Sequence, residues 1–238
     1  MTTIPWHVCV LIPARNEEEL ISRCLQSVVS ACNELPPHVT ADIVVAVDSS
    51  TDGTLEIAGR LLIDRGAAIV CEEGVVGRTR ALAAREALNR YHGSLEHCWL
   101  ANTDADCCVP KSWLLDQLKA ASANVDAIAG TVDVDSFQEH NAGIADLFRK
   151  TYLIHADGSH PHVHGANLGV RADAYVRAGG WGELETAEDH DLWNRLKTTG
   201  SRTRSIGHLS VVTSGRVTGR APLGFAGALL ALNEVTVC

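Results

Sequence analysis

"ADIVVAVDSSTDGTLEIAGRLLIDRGAAIVCE" occupies residues 41–72. Of its first seven residues all but Asp42 are apolar and four are β-branched, which suits a strand buried on both faces. Asp48 stands at the carboxyl end of that run. Residues 51–66 have the apolar spacing of a helix, with Gly66 as the expected stop. Residues 67–72 read as the next strand, the third of the chain. Strand, helix, strand at this spacing is a crossover unit, and crossover units build parallel sheets.

The pattern extends on both sides. "HVCVLIP" (7–13) reads as the first strand, residues 17–32 as a helix, 77–91 as a helix, and "HCWLANT" (97–103) as the fourth strand. Residues 111–123 form a further helix, 127–135 a strand, 140–156 and 187–200 helices, and "TRSIGHLSVVTSGR" a last strand. The fold class expected is α/β, a wound, mostly parallel sheet flanked by helices. The segment 159–181 mixes a loop, a short strand and a helix. No repeat or linker divides the chain, so one domain is expected over 1–238, with a half near 1–115 and a second near 116–238.

Composition narrows the function classes. The 238 residues are 46% hydrophobic and 21% charged, the balance of a globular protein. The net charge of −9 argues against nucleic acid, whose phosphates demand a basic face. No stretch approaches the roughly 20 apolar residues that span a bilayer. The opening "MTTIPWHVCVLIPARNEEE" has no basic leader and reads as a strand. Eight cysteines without a CxxC pair fit reduced core thiols, and a cytoplasmic location is expected.

In wound sheets, ligands bind at the carboxyl ends of the strands. Four polar clusters fall there: "PARNEE", "DSSTDG", "EEGVVGRTR" and "TDADCC". The last contains Asp104 and Asp106 with one alanine between them. Two adjacent like charges raise each other's pKa, so the pair is costly without a cation. Hard carboxylate oxygens suit Mn²⁺ or Mg²⁺, which bridge protein and diphosphate. "GVVGRTR" is neither a P-loop nor a dinucleotide fingerprint. "HPHVHG" sets three imidazoles on one face, a possible zinc site that no cysteine or carboxylate completes. "TSGRVTGR" offers Arg216 and Arg220 as partners for a diphosphate or an acidic acceptor.

Five stretches in order, "VLIPARNEEE", "IVVAVDSSTDGT", "TDADCCVPKSWL", "HGANLGVRADAYVRAGGW" and "TAEDHDLWNRL", resemble family-2 glycosyltransferases of the GT-A fold. The resemblance implies a metal-dependent transfer of a sugar from a UDP- or GDP-linked donor to an unknown acceptor hydroxyl, with inversion. It implies a nucleotide-sugar pocket from Pro13, Ala14, Arg15, Glu17, Asp48, Gly77, Arg80, Asp104 and Ala105. It implies Asp106, with Asp104, as metal ligands and His208 as a looser third. Asp189 would be the general base, with Glu188 beside it. His164, Asn167, Arg216 and Arg220 would face the acceptor or the diphosphate. The first half would hold the donor and the second the acceptor. The chain reads Val47–Asp48 where the family often has two aspartates, and it lacks the QxxRW motif of processive membrane synthases.

Two rivals remain. A nucleotidyltransferase shares the wound sheet and the metal but opens with a glycine-rich basic loop, which "IPARNEEEL" is not. A non-catalytic nucleotide-sugar-binding protein has no need of Asp189.

Overall fold

The structure, a computed structural model of the chain, describes residues 5–219 and 224–235. The elements are β1 (His7–Ala14), α1 (Ile21–Asn33), β2 (Thr40–Asp48), α2 (Thr54–Leu61), β3 (Gly66–Cys71), α3 (Val76–Arg90), β4 (Cys98–Asn102) and α4 (Trp113–Ser122). They continue with β5 (Ala127–Val134), α5 (Ile144–Thr151), β6 (Leu168–Arg171), α6 (Ala172–Arg177), α7 (Glu188–Thr198), β7 (Thr203–Thr213) and α8 (Phe225–Val235).

The strands form one sheet in the order β3-β2-β1-β4-β6-β5-β7. All neighbours run parallel except β6, which is antiparallel to both β4 and β5. Side-chain alternation along each strand divides the core in two. Val8, Val10 and Ile12 of β1 pack with Ile21, Leu25 and Val28 of α1 and Trp113 of α4. Cys9 and Leu11 face the opposite way, onto Ala83, Ala84 and Ala87 of α3 and Leu192 and Leu196 of α7. Each fully buried Leu or Ile of these layers contributes about 1.5–3 kcal/mol.

Helix bounds differ from those expected, for local reasons. The Glu17 carbonyl accepts the amides of Leu20 and Ile21, so a turn precedes α1. Asp64, at φ +61°, breaks the chain after α2, and Gly66 opens β3 instead of ending the helix. Gly143, at φ +92°, delays α5 to Ile144.

Two features place the site. β4 ends at Asn102, so Asp104 and Asp106 lie in the loop beyond the sheet. A turn from the Asp104 carbonyl to the Cys107 amide folds that loop. Paired bonds between Cys108 and Val212 then tie it to the end of β7. No helix among the described residues is long and apolar enough to cross a membrane.

Candidate active site

A cleft of about 620 Å³ opens at the carboxyl ends of β1, β2 and β4. Pro13, Ala14, Arg15, Glu17, Asp48, Arg80, Asp104, Ala105, Asp106, His164, Glu188, Asp189 and Arg216 all line it. Apolar surface comes from Val132, Val163, Ala166 and Phe225. Among the described residues, seven carboxylates and three arginines line the cleft, so their summed field is negative.

Two arginines each bridge a pair of these carboxylates. Arg80 gives Nη2 to Asp104 Oδ1 at 2.6 Å and Nε to Glu188 Oε1 at 3.1 Å. Its side chain is 4% exposed and lies over the Trp181 ring, 5.3 Å from the centroid. Burial alone would lower the Arg80 pKa, but Asp104 and Glu188 outweigh it and raise it. Arg216 donates to both oxygens of Glu17, at 2.9 and 2.6 Å, and reaches Asp106 Oδ2 at 3.0 Å. Burial, reinforced by Asp104, pushes the Asp106 carboxyl up to about 6 against the pull of Arg216. Burial also raises Glu188, with Arg80 pulling it back.

Breaking a buried pair on one side leaves the other charge uncompensated, at a cost of about 3–5 kcal/mol. Arg80→Met strands the buried Glu188 and one oxygen of Asp104. Its expected result is a loss of stability near that range in urea unfolding, recovered in part by adding Glu188→Gln. A loss below 1 kcal/mol would show that Arg80 does not anchor the two acids.

Glu188 and Asp189 open α7, and the acids of that first turn favour its N-terminus by roughly 0.3–1 kcal/mol each. They point differently. Glu188 is buried on Arg80, while Asp189 Oδ2 accepts the Gly165 amide at 2.9 Å. The divergence begins at Ala187, held at φ +59° before the helix. A non-glycine residue there costs about 1 kcal/mol or more, a strain that collects at functional sites. Neither Ala187 nor Gly165 was singled out from the sequence. Gly165 lies within the quoted "HGAN" stretch, and its amide, its carbonyl (to Arg80) and its missing Cβ all serve this corner.

Other expected residues are positioned differently. Asp48 borders the cleft, but its oxygens accept the Glu73 and Gly74 amides and the Ser49 and Thr79 hydroxyls. It clamps the loop between β3 and α3. Gly77 lies outside the cleft. It donates to the Leu184 carbonyl, and a Cβ there would strike Gly182. Asn167 is also outside: it is buried, donates to the Thr131 and Leu209 carbonyls and accepts from Trp113. It braces β5, β7 and α4 instead of facing an acceptor. His208 is exposed on β7 where the register with β5 jumps from Gly130↔Ile206 to Thr131↔Ser210. It is not among the residues lining the cleft and lies five residues before Thr213, whose hydroxyl meets Asp106. Arg220 lies outside the described residues.

Among the described residues one group has metal-ligand spacing: Asp104, Asp106 and Cys107, with donor atoms within 4.8 Å of one another. The two carboxylates fit a hard divalent cation. The Cys107 thiol is fully buried and its pKa is raised by burial, so it adds no ready ligand. The three histidines form no metal set. Their rings stack 5.7 and 5.9 Å apart, and their Nε2 atoms meet the Ala129 carbonyl, the Leu153 carbonyl and the Tyr152 hydroxyl.

Burial pulls the His164 pKa down to about 3. The unfolded chain takes up a proton near 6.5 and the folded chain does not, so stability is full above 6.5 and falls as pH drops. Between pH 7 and 5 this one group removes about 2 kcal/mol. Urea unfolding of native protein and His164→Gln at both pH values checks it, with the variant losing less by about that amount. An identical pH dependence would mean that His164 is protonated in the fold.

The pattern that defines Glycosyl transferase family 2 matches residues 9–177. The chain belongs to glycosyl transferase family 2. It is 29% identical over 185 residues to Glycosyltransferase AglE of Haloferax volcanii, which covers 75% of this chain and 56% of AglE. Two solved structures share the architecture of this family 2 chain. S. aureus TarS 1–349, in complex with UDP-GlcNAc, is 15% identical, with a TM-score of 0.66 over 97% of this chain and 66% of that one. The mannosyltransferase PcManGT from Pyrobaculum calidifontis, in complex with GDP-Man and Mn²⁺, is 19% identical, with a TM-score of 0.66 over 97% and 70%. The sheet and its flanking helices are the GT-A fold.

Proposed function

We propose that this chain transfers a sugar from a UDP- or GDP-linked donor to an acceptor hydroxyl, with inversion at the anomeric carbon. The observation that carries the reading is the meeting of Asp104, Asp106 and Asp189 in one cleft at the strand ends. The UDP-GlcNAc of TarS and the GDP-Man and Mn²⁺ of PcManGT support it.

The residues divide the work. Asp106 and Asp104 would hold a Mn²⁺ or Mg²⁺, which would supply positive charge against the leaving diphosphate. Glu17, Arg15 and the Pro13–Ala14 backbone border the nucleoside, on the half before about residue 115. Arg80 keeps Asp104 and Glu188 apart and fixed. Asp189, held by the Gly165 amide, accepts the acceptor proton as the sugar moves. Glu188 already carries the Arg80 charge, which leaves Asp189 the better base. The later half, with His164, frames the acceptor. The seven described cysteines are free thiols, which suits the cytoplasm.

Slow hydrolysis of the donor, with water as a poor acceptor, tests the reading. Release of UDP or GDP from one nucleotide-sugar, dependent on Mn²⁺ or Mg²⁺ and on Asp189, is expected. No release from a panel of UDP- and GDP-sugars, with no binding either, would refute it.

A further inference from the structure

We propose that Arg216 is an internal counter-cation of the cleft, seated on Asp106 until a divalent ion takes that carboxylate, and then passed to the diphosphate. Cation and nucleotide would therefore load as a coupled pair. The inference rests on the cation site proposed above.

One guanidinium serves two carboxylates here. It forms a two-pronged bond with Glu17, which is 5% exposed, and a single contact with Asp106 at 3.0 Å. The contact to Asp106 is the weaker arm and the one a divalent ion competes for. The Arg80 guanidinium is no substitute, since Asp104, Glu188 and the Gly165 carbonyl engage it.

The backbone around Arg216 is pinned. The Gly215 amide donates to Asp135, the Gly215 carbonyl meets His140 Nε2, and the Val217 amide donates to Glu139. Asp135 is itself bound by Arg23, which also donates to the Asp106 carbonyl. A change of partner is thus a rotation of the Arg216 side chain about a fixed backbone. A guanidinium fork matches phosphate oxygens as well as it matches a carboxylate. Diphosphate rewards Arg216 for leaving Asp106, and the vacated carboxylate rewards the ion. Such coupling is reciprocal by thermodynamic necessity.

The test measures Mn²⁺ affinity from the free-ion electron paramagnetic resonance signal, with and without UDP or GDP. Arg216→Met keeps the packing stem and removes the fork. Without nucleotide, Arg216→Met should bind Mn²⁺ tighter than native protein by about tenfold, the scale of one charge-assisted bond released. With nucleotide, where Arg216 has already left Asp106 in the native protein, the two affinities should converge. An equal gain in both conditions would make Arg216 a mere contributor to the field and overturn the hand-off. So would no gain in either. If neither protein binds Mn²⁺ even with nucleotide, the cation site itself fails and the hand-off with it. Mn²⁺ affinity unchanged in Asp106→Asn would place the ion away from Asp106 and also overturn the hand-off.

Discussion

Asp189→Asn is expected to lower donor turnover by about 10²- to 10⁴-fold, the usual contribution of a positioned general base. The substitution keeps the shape and one oxygen for the Gly165 amide, which Asp189 accepts at 2.9 Å. It removes the basicity and, with it, the second acceptor oxygen, which takes the His190 amide at 2.7 Å. KM for the donor should change little, because a base acts in the transition state and not in binding the nucleotide. Glu188→Gln should behave differently. It removes the charge paired with Arg80 at 3.1 Å and should weaken the fold more than it alters the chemistry of the folded fraction. Steady-state hydrolysis of the donor separates the two. Most of the turnover retained in Asp189→Asn would send the search for a base to Glu188 or His164.

Asp106→Asn is expected to abolish the part of nucleotide binding that depends on a divalent cation. At 100 times Kd, a ligand adds about 2.7 kcal/mol of stability, and that increment should vanish in a thermal-shift experiment with Mn²⁺. The variant itself should fold. Arg216 keeps both bonds to Glu17, and the burial that raises the Asp106 carboxyl to about 6 is relieved by a neutral amide. An undiminished Mn²⁺-dependent shift would remove Asp106 from the cation site.

What the sequence made legible was the part that local chemistry dictates. Apolar runs ending in acids marked β1, β2 and β4 and their polar ends, because a buried parallel strand must be apolar and the charges must wait for its end. Asp104, Asp106, Glu188 and Asp189 therefore came out on one cleft. Long-range partners were not legible. The Arg80–Glu188 bond joins residues 108 apart, and nothing near either one announces the other. Asp48 came from the resemblance as a residue of the nucleotide-sugar pocket; it does border the cleft, but the Glu73 and Gly74 amides that engage its oxygens lie on the next crossover. His208 came only from a loose transfer of the resemblance; it lies at the register jump between β5 and β7, five residues before Thr213, whose hydroxyl is the β7 group that reaches Asp106. Asn167 was a buried brace because its side chain meets two strand carbonyls and Trp113, a role that only the assembled sheet creates. The antiparallel β6, inserted between β4 and β5, departs from the strand–helix rhythm and left a mixed reading at 159–181.

The excess of carboxylates over arginines among the described residues of the cleft is the physical ground for proposing that a diphosphate binds with a cation. Calorimetric titration of the native protein with UDP and with GDP, in Mn²⁺ and again in chelator, tests this directly. The account predicts that one of the two diphosphates binds in Mn²⁺ and that its binding is lost or weakened at least tenfold in chelator, a change of about 1.4 kcal/mol. Equal affinity in chelator, or no binding of either diphosphate in Mn²⁺, would contradict it.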